Sequence, residues 1–326
     1  MKYLVNRSTD PHFNMAFDEF SLEELRADEP VFYLWQNRPS VIIGLNQSAY
    51  AEVNLRFIEQ KGISLARRVT GGGAVYHDLQ NLNYTMTGLI RDLEKDGPAY
   101  LETMLRALQQ LGVPAEMNGR NDILVDGRKC SGYAKRVSRD RLMIHGTLMY
   151  DVDIDTLTEA LAVPGSKLSA AGVASVRSRV ANLKDYLPQF AGIDAFREGL
   201  QTLLAGTDGE LGLTSAQLDR IEADADAKFR TWDWNFGRSP VAAFQVRRRF
   251  PCGTVEASFS LRAGRIDSLR FTGDFLGNLP AAGLEAALQG VPYTREGIGA
   301  VLRKAPVADC FDHLTPDALC DLLLDA

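Results

Sequence analysis

Cysteine is scarce in this chain. Four occur in 326 residues, at Cys130, Cys252, Cys310 and Cys320, with no CxxC pair and no repeated spacing. Neither a thiolate zinc site nor a disulfide framework organises such a sequence, and a reducing compartment is the expectation. Long apolar runs are also missing: no segment reaches the roughly 18 uncharged residues of a membrane span. The opening MKYLVNRSTDPHFNMAFDEF is broken by charges too often for a signal peptide. A cytoplasmic protein without a membrane partner is therefore expected. Excess positive charge is absent as well, with 36 Lys and Arg against 42 Asp and Glu, net −6. Nucleic acid is accordingly not expected as the main partner. No internal repeat or low-complexity tract is present.

What is present reads as globular. The chain is 45 % hydrophobic and 24 % charged, and at about 150 residues per domain its length suggests two domains. Residues 14 to 27 place Ala16, Phe20, Leu22 and Leu25 among carboxylates behind the Asp10-Pro11 start signal, predicting a helix. The runs 31 to 36 and 40 to 45 predict strand, turn, strand about Asn37-Arg38-Pro39. A helix is predicted over 98 to 112, with Pro98 near its start and Gly112 at its end, and strands over 122 to 127, 128 to 136 and 142 to 152. Strands and helices without strict alternation indicate an α+β domain. A boundary is placed near Pro240 to Arg249, dividing the chain into 1–245 and 246–326. Beyond it Val255, Ala257, Phe259 and Leu261 alternate, and Ala263-Gly264 turns the chain back as a hairpin.

Three strings stand out chemically. Arg67-Arg68-Val69-Thr70-Gly71-Gly72-Gly73 carries three consecutive glycines, which suit a main chain that approaches a ligand or takes positive φ. Its successive amides can form an anion-binding nest, with the arginines facing the anion; a glycine-rich surface turn with solvated arginines is the alternative. Neither GxxxxGK[ST] nor GxGxxG is present. In the second string, Asp122 can grip a hard cation or be a turn carboxylate, and Lys129 can reach a phosphate or be an exposed strand lysine. Between 128 and 141, six basic residues stand against one acidic residue, Asp140. His145 lies in an apolar strand, either as a core histidine or at a site. The third string, Ser175-Val176-Arg177-Ser178-Arg179-Val180, reads as a basic loop.

Taken in order, DPHFNMAFDEF, RRVTGGGAVYHDLQNLNYT, GRNDILVDGRKCSG with HGTL, SVRSRVANL and WDWNFG resemble the lipoate-protein ligase A family in its long, two-domain bacterial form. The resemblance implies a biotin/lipoate ligase-like catalytic domain with a mixed sheet flanked by helices, plus a small α+β C-terminal accessory domain. It implies activation of lipoate by ATP and Mg²⁺ to lipoyl-AMP, and transfer to a lysine of apo lipoyl domains of 2-oxoacid dehydrogenases or of the glycine cleavage H protein. Carried over by motif, Arg68, Thr70, Gly71, Gly72, Gly73, His77, Asn81 and His145 would bind lipoate. Ala74, Val75, Tyr76, Lys129, Ser175, Val176, Arg177 and Val180 would bind ATP and the adenylate, Lys129 would be catalytic, and Asp122 would serve the metal. Val69 and Thr70 stand where many relatives have serines, and Tyr133 where the residue is often small. An ATP-independent octanoyl or lipoyl transferase of the same superfamily is the rival, with Cys130 as its nucleophile. Strand alternation turns Cys130 away if Lys129 faces the ligand.

Overall fold

The computed structural model describes residues 1–325 apart from 26, 28, 119–121, 162–177, 206–209 and 240–241. The described strands are β1 Lys2–Leu4, β2 Val31–Trp35, β3 Ser40–Ile43, β4 Ser64–Arg67, β5 Val75–His77, β6 Asn81–Leu89, β7 Ala115–Met117, β8 Asp122–Val125, β9 Arg128–Ser138, β10 Arg141–Met149, β11 Glu210–Leu211, β12 Ala242–Phe250, β13 Gly253–Arg262 and β14 Arg265–Gly273. They divide between two compact units. The larger comprises Met1–Leu45, Gly62–Leu161 and the described part of Lys167–Thr231, and the smaller comprises Asn46–Lys61 and Trp232–Ala326.

In the larger unit a mixed sheet runs β11-β1-β2-β6-β10-β9-β8-β7, and a second, three-stranded sheet runs β4-β3-β5. The predicted neighbours β2 and β3 are therefore not a hairpin. β2 pairs with β6, whereas β3 pairs with β4 and β5, because Asn37-Arg38-Pro39 carries the chain from one sheet to the other. Helix Pro11–Glu23 opens as predicted, with the Asp10 carboxylate accepting from the His12 N–H at 3.1 Å. The helix predicted from Pro98 begins earlier, at Leu93, and runs to Gln110 with Pro98 inside it. Its start is set by Asp92, whose carboxylate caps Glu94 N, while Asp96 accepts from Arg91 N and Asp92 N. Its buried face, Tyr100, Leu101, Met104 and Leu108, packs with Leu82, Tyr84 and Met86 of the central strand β6.

The smaller unit is an antiparallel sheet, β12-β13-β14, with helices Ala282–Leu288, Arg295–Leu302, Val307–Cys310 and Pro316–Leu323. As the alternation predicts, Val255, Ala257, Phe259 and Leu261 are buried, and Ala263-Gly264 turns the hairpin with both φ positive. Strand β12 was not predicted; its outward arginines mask an inward Phe244 and Val246. Residues Asn46–Lys61 add Tyr50 and Leu55 to this core, and the Tyr50 hydroxyl donates to Gly264 O at 3.2 Å. Trp232 stacks on Phe236, with Arg265 over its ring.

Candidate active site

The triple-glycine loop joins β4 to β5 in the larger unit, and Arg68 sits inside its curve. Its Nε donates to Thr70 Oγ1 at 3.0 Å and Gly71 O at 3.1 Å, and Nη1 donates to Ile42 O at 3.1 Å. Nη2 donates to Gly71 O at 2.7 Å and Gly73 O at 2.8 Å. The guanidinium is thus spent on the loop itself and does not face an anion as the sequence suggested. Arg67 is likewise turned inward, onto Gly44 O and Leu45 O. The arrangement still favours an anion for another reason. In a planar trans peptide the carbonyl and the following N–H point oppositely, so drawing Gly71 O and Gly73 O onto Arg68 turns the N–H groups of Gly72 and Ala74 away from it. Gly72, Gly73 and Ala74 all line a cavity of about 120 Å³. Burial lowers the Arg68 pKa to about 10, which leaves it charged at neutral pH, behind two outward amides. Gly72 must be glycine: its φ is +94°, and a Cβ would stand 2.8 Å from Arg68 Nη2.

Two histidines on the cavity wall are held in defined tautomers by neighbours. Asn14 Nδ2 donates to Asn37 Oδ1 at 2.8 Å, so the Asn37 amide nitrogen faces His77 Nδ1 at 3.0 Å. His77 therefore carries its proton on Nε2, which is buried and without a partner among the described residues. Burial foremost, then the charge of Arg68 and the proximity of His145, lower the His77 pKa to about 3, so the ring is a neutral donor. His145 Nδ1 lies 2.6 Å from Asp18 Oδ2, and its Nε2 lies 2.7 Å from Thr70 Oγ1. Asp18 also accepts from Tyr33 Oη at 2.6 Å and Thr85 Oγ1 at 3.0 Å, and Thr85 accepts from Trp35 Nε1. A continuous chain of hydrogen bonds thus runs from the first helix through His145 and Thr70 to Arg68.

Lys129 also lines the cavity. One residue of β9, Cys130, is extra against β8, and this bulge lies beside Lys129. The Lys129 ammonium reaches the cavity, 2.8 Å from Asp122 Oδ1. A Cβ at Gly132 would fall 2.8 Å from Lys129 Nζ, so that glycine leaves the ammonium its space. Cys130 turns into the core, where burial pushes its thiol up to about 12. A thioester-forming nucleophile needs a thiolate and access, and Cys130 has neither. The Lys129 backbone N–H donates to Arg179 O, and its carbonyl accepts from Ala181 N, which places Val180 beside it.

Of the residues named from sequence, Arg68, Gly72, Gly73, Ala74, Val75, His77, Lys129 and His145 line the cavity together. Thr70, Gly71 and Asp122 stand behind these as hydrogen-bond or ion-pair partners. The side chain of Tyr76 is buried off the wall, because β5 alternates and Val75 and His77 take the cavity face. Asn81 is also off the wall; it donates to Asn83 Oδ1 at 2.8 Å, and Asn83 is the wall residue, its Nδ2 buried without a partner among the described residues. Ser175, Val176 and Arg177 lie outside the described residues. The apolar wall, Met15, Trp35, Ile42, Tyr133 and Ala134, was not foreseen as a site. Neither was Asp18. The apolar pattern of its helix gives no sign that Asn14, Asp18 and Ser21, spaced four and three apart, form a buried polar stripe.

The sequence profile of the lipoyl protein ligase A/B catalytic domain matches residues 10–205, and that of the bacterial lipoate protein ligase C-terminus matches 239–323. The chain is 36 % identical to the lipoate-protein ligase LplJ of Bacillus subtilis (strain 168) over 330 residues, covering 99 % of this chain and all of that one. It is similar in fold to a bipartite lipoate protein ligase from Thermoplasma acidophilum, studied with its E2 lipoyl domain. That match has a TM-score of 0.67 at 29 % identity, over 73 % of this chain and 97 % of the other. A lipoate-protein ligase A crystallised with bound ATP gives a TM-score of 0.62 at 30 % identity, over 73 % and 98 % of the two chains. Together with an α+β fold and a cavity lined by the glycine loop, two histidines and a lysine, these matches show that the chain belongs to the lipoate-protein ligase family.

Proposed function

We propose that the chain activates lipoate with ATP and passes the lipoyl group to a lysine of an apo lipoyl domain, of a 2-oxoacid dehydrogenase or the glycine cleavage H protein, in the cytoplasm. The carrying observation is that Gly72 and Ala74, whose amides turn away from Arg68, line one cavity with His77 and Lys129. In the first step a lipoate carboxylate oxygen attacks the α-phosphorus, and the bond to the β-phosphate oxygen breaks, releasing pyrophosphate. Two anions must meet, so fixed positive charge and N–H dipoles in a desolvated site lower the barrier. Arg68, Thr70, Gly71, Gly72 and Gly73, with His77, Asn83 and His145, would hold the carboxylate end, and the apolar wall at Trp35 and Ile42 the acyl chain. In the second step the acceptor amine attacks the acyl carbon and the bond to AMP breaks.

Asp122 is the carboxylate that would hold Mg²⁺. A hard cation that accompanies phosphates can take one protein carboxylate and complete its shell with phosphate oxygens. When bound, it would neutralise phosphate charge. In the free protein Lys129 neutralises Asp122; with nucleotide present, Lys129 would turn to the phosphate and leave Asp122 for the metal. The larger unit would carry the chemistry, with the smaller unit accessory, and the segment 178–182, joined to Lys129 at Val180, would cover the adenylate. Lys129→Ala is expected to reduce lipoate-dependent ATP–pyrophosphate exchange by about a hundredfold or more, while circular dichroism stays native, since the side chain is 40 % exposed. Full exchange in that variant removes Lys129 from the reaction.

A further inference from the structure

Strand β9 is covered unequally on its two sides. It pairs with β10 from Tyr133 to Ser138, whereas β8 reaches it only from Arg128 to Gly132. From Lys135 to Val137 the outer edge has no backbone partner among the described residues. Which groups it presents follows from the hairpin. Arg139 and Asp140 form a two-residue loop, so Ser138 and Arg141 exchange hydrogen bonds, as do Arg136 with Met143 and Ala134 with His145 in alternation. Lys135 and Val137 therefore turn their N–H and C=O groups outward. Val137 is 43 % exposed. Lys135 and Arg139 are exposed and have no ion-pair partner among the described residues. At the near end of this edge, Tyr133 and Ala134 line the cavity.

We propose that this edge docks the protein substrate. An extended, acidic segment beside the acceptor lysine would add to the sheet along Lys135 and Val137, bringing the lysine to the cavity mouth at Tyr133. The proposal rests on the ligase reading and names the surface that reading leaves open. Main-chain hydrogen bonds to a sheet edge supply affinity, and the alternating side chains supply selection. Ala134 to Ser138 spans four residue steps, about 13 Å at roughly 3.3 Å per residue, enough for a short partner strand. An edge lysine and arginine discourage pairing with basic or neutral strands and admit an acidic one.

The test uses the full chain and a purified apo lipoyl domain with acidic residues beside its lysine. Val137→Pro removes an outward N–H and leaves the β10 ladder intact, and Lys135→Glu with Arg139→Glu reverses the charge. Two assays are run: lipoate-dependent ATP–pyrophosphate exchange, which needs no acceptor, and acceptor lipoylation by mass. Both variants are expected to keep exchange within about twofold and to raise the acceptor KM about tenfold or more, and the charge pair should also blunt the salt dependence. A folded Val137→Pro with unchanged acceptor KM overturns the docking edge. If Val137→Pro does not fold, the charge pair decides, and an unchanged KM there overturns it. Absence of exchange in the unaltered protein instead overturns the ligase reading.

Discussion

Arg68 lines the cavity, as its place in the glycine string suggested, but its donors are turned differently from the obvious reading. Its charge is kept, but its donors bind Thr70, Gly71, Gly73 and Ile42, so in the proposed reaction it would act on a ligand through the amides it orients. A lysine has the charge without the planar fork. Arg68→Lys is expected to lower stability by about 1–3 kcal/mol and to raise the lipoate KM more than the ATP KM, as read by thermal denaturation and exchange kinetics. His77 gives a prediction with a sign. Its folded pKa, near 3 and below the ordinary 6.5, means that the unfolded chain takes up the proton first. This contribution to stability is complete above about pH 6.5 and is lost as the pH falls toward 3. His77→Gln, which cannot titrate, should lose less stability between pH 7 and pH 5 than the unaltered protein, measured by urea midpoints at each pH. Arg68, His77 and Lys129 were legible because their types sit in a recognisable motif. Asp18 and Asn83 were not, since a polar residue on a buried face looks like a surface residue until its partners are known.

At the scale of elements, local signals fared well where a cap or turn carries them. Asp10-Pro11 opened a helix, and Ala263-Gly264 turned a hairpin. The start at Leu93 was missed because Pro98, read as a first-turn proline but lying inside the helix, drew attention from Asp92, whose side chain makes the cap. Asp92→Ala should cost about 0.5–2 kcal/mol with exchange activity unchanged, by urea denaturation and assay. The glycine loop is the more demanding element. At Gly72 an alanine meets both a φ of +94° and the pinned Arg68 guanidinium, so Gly72→Ala should cost about 1–2 kcal/mol and weaken lipoate binding, measured by calorimetric titration.

For the whole molecule, two cores are the governing fact. Tyr84, Met104 and Phe196 belong to one, and Val255, Leu302 and Phe311 to the other, with no residue shared among the described residues. Leu302→Ala is expected to cost about 2–5 kcal/mol and to lower one calorimetric transition while leaving the other in place. Saturating lipoate should raise the transition of the unit that holds the cavity, by about 2.7 kcal/mol at a hundred times Kd. By itself the sequence determined what depends on short range: helix starts, turns, alternating strands, and a glycine loop whose type and order name its chemistry. Only the tertiary structure decided what depends on distant partners. It set Arg68 inside its loop, Asp18 against His145 across 127 positions, and Asn46–Lys61 with the C-terminal core. The reason is physical: burial turns a polar side chain toward whichever partner satisfies it, and spacing along the chain does not encode that partner.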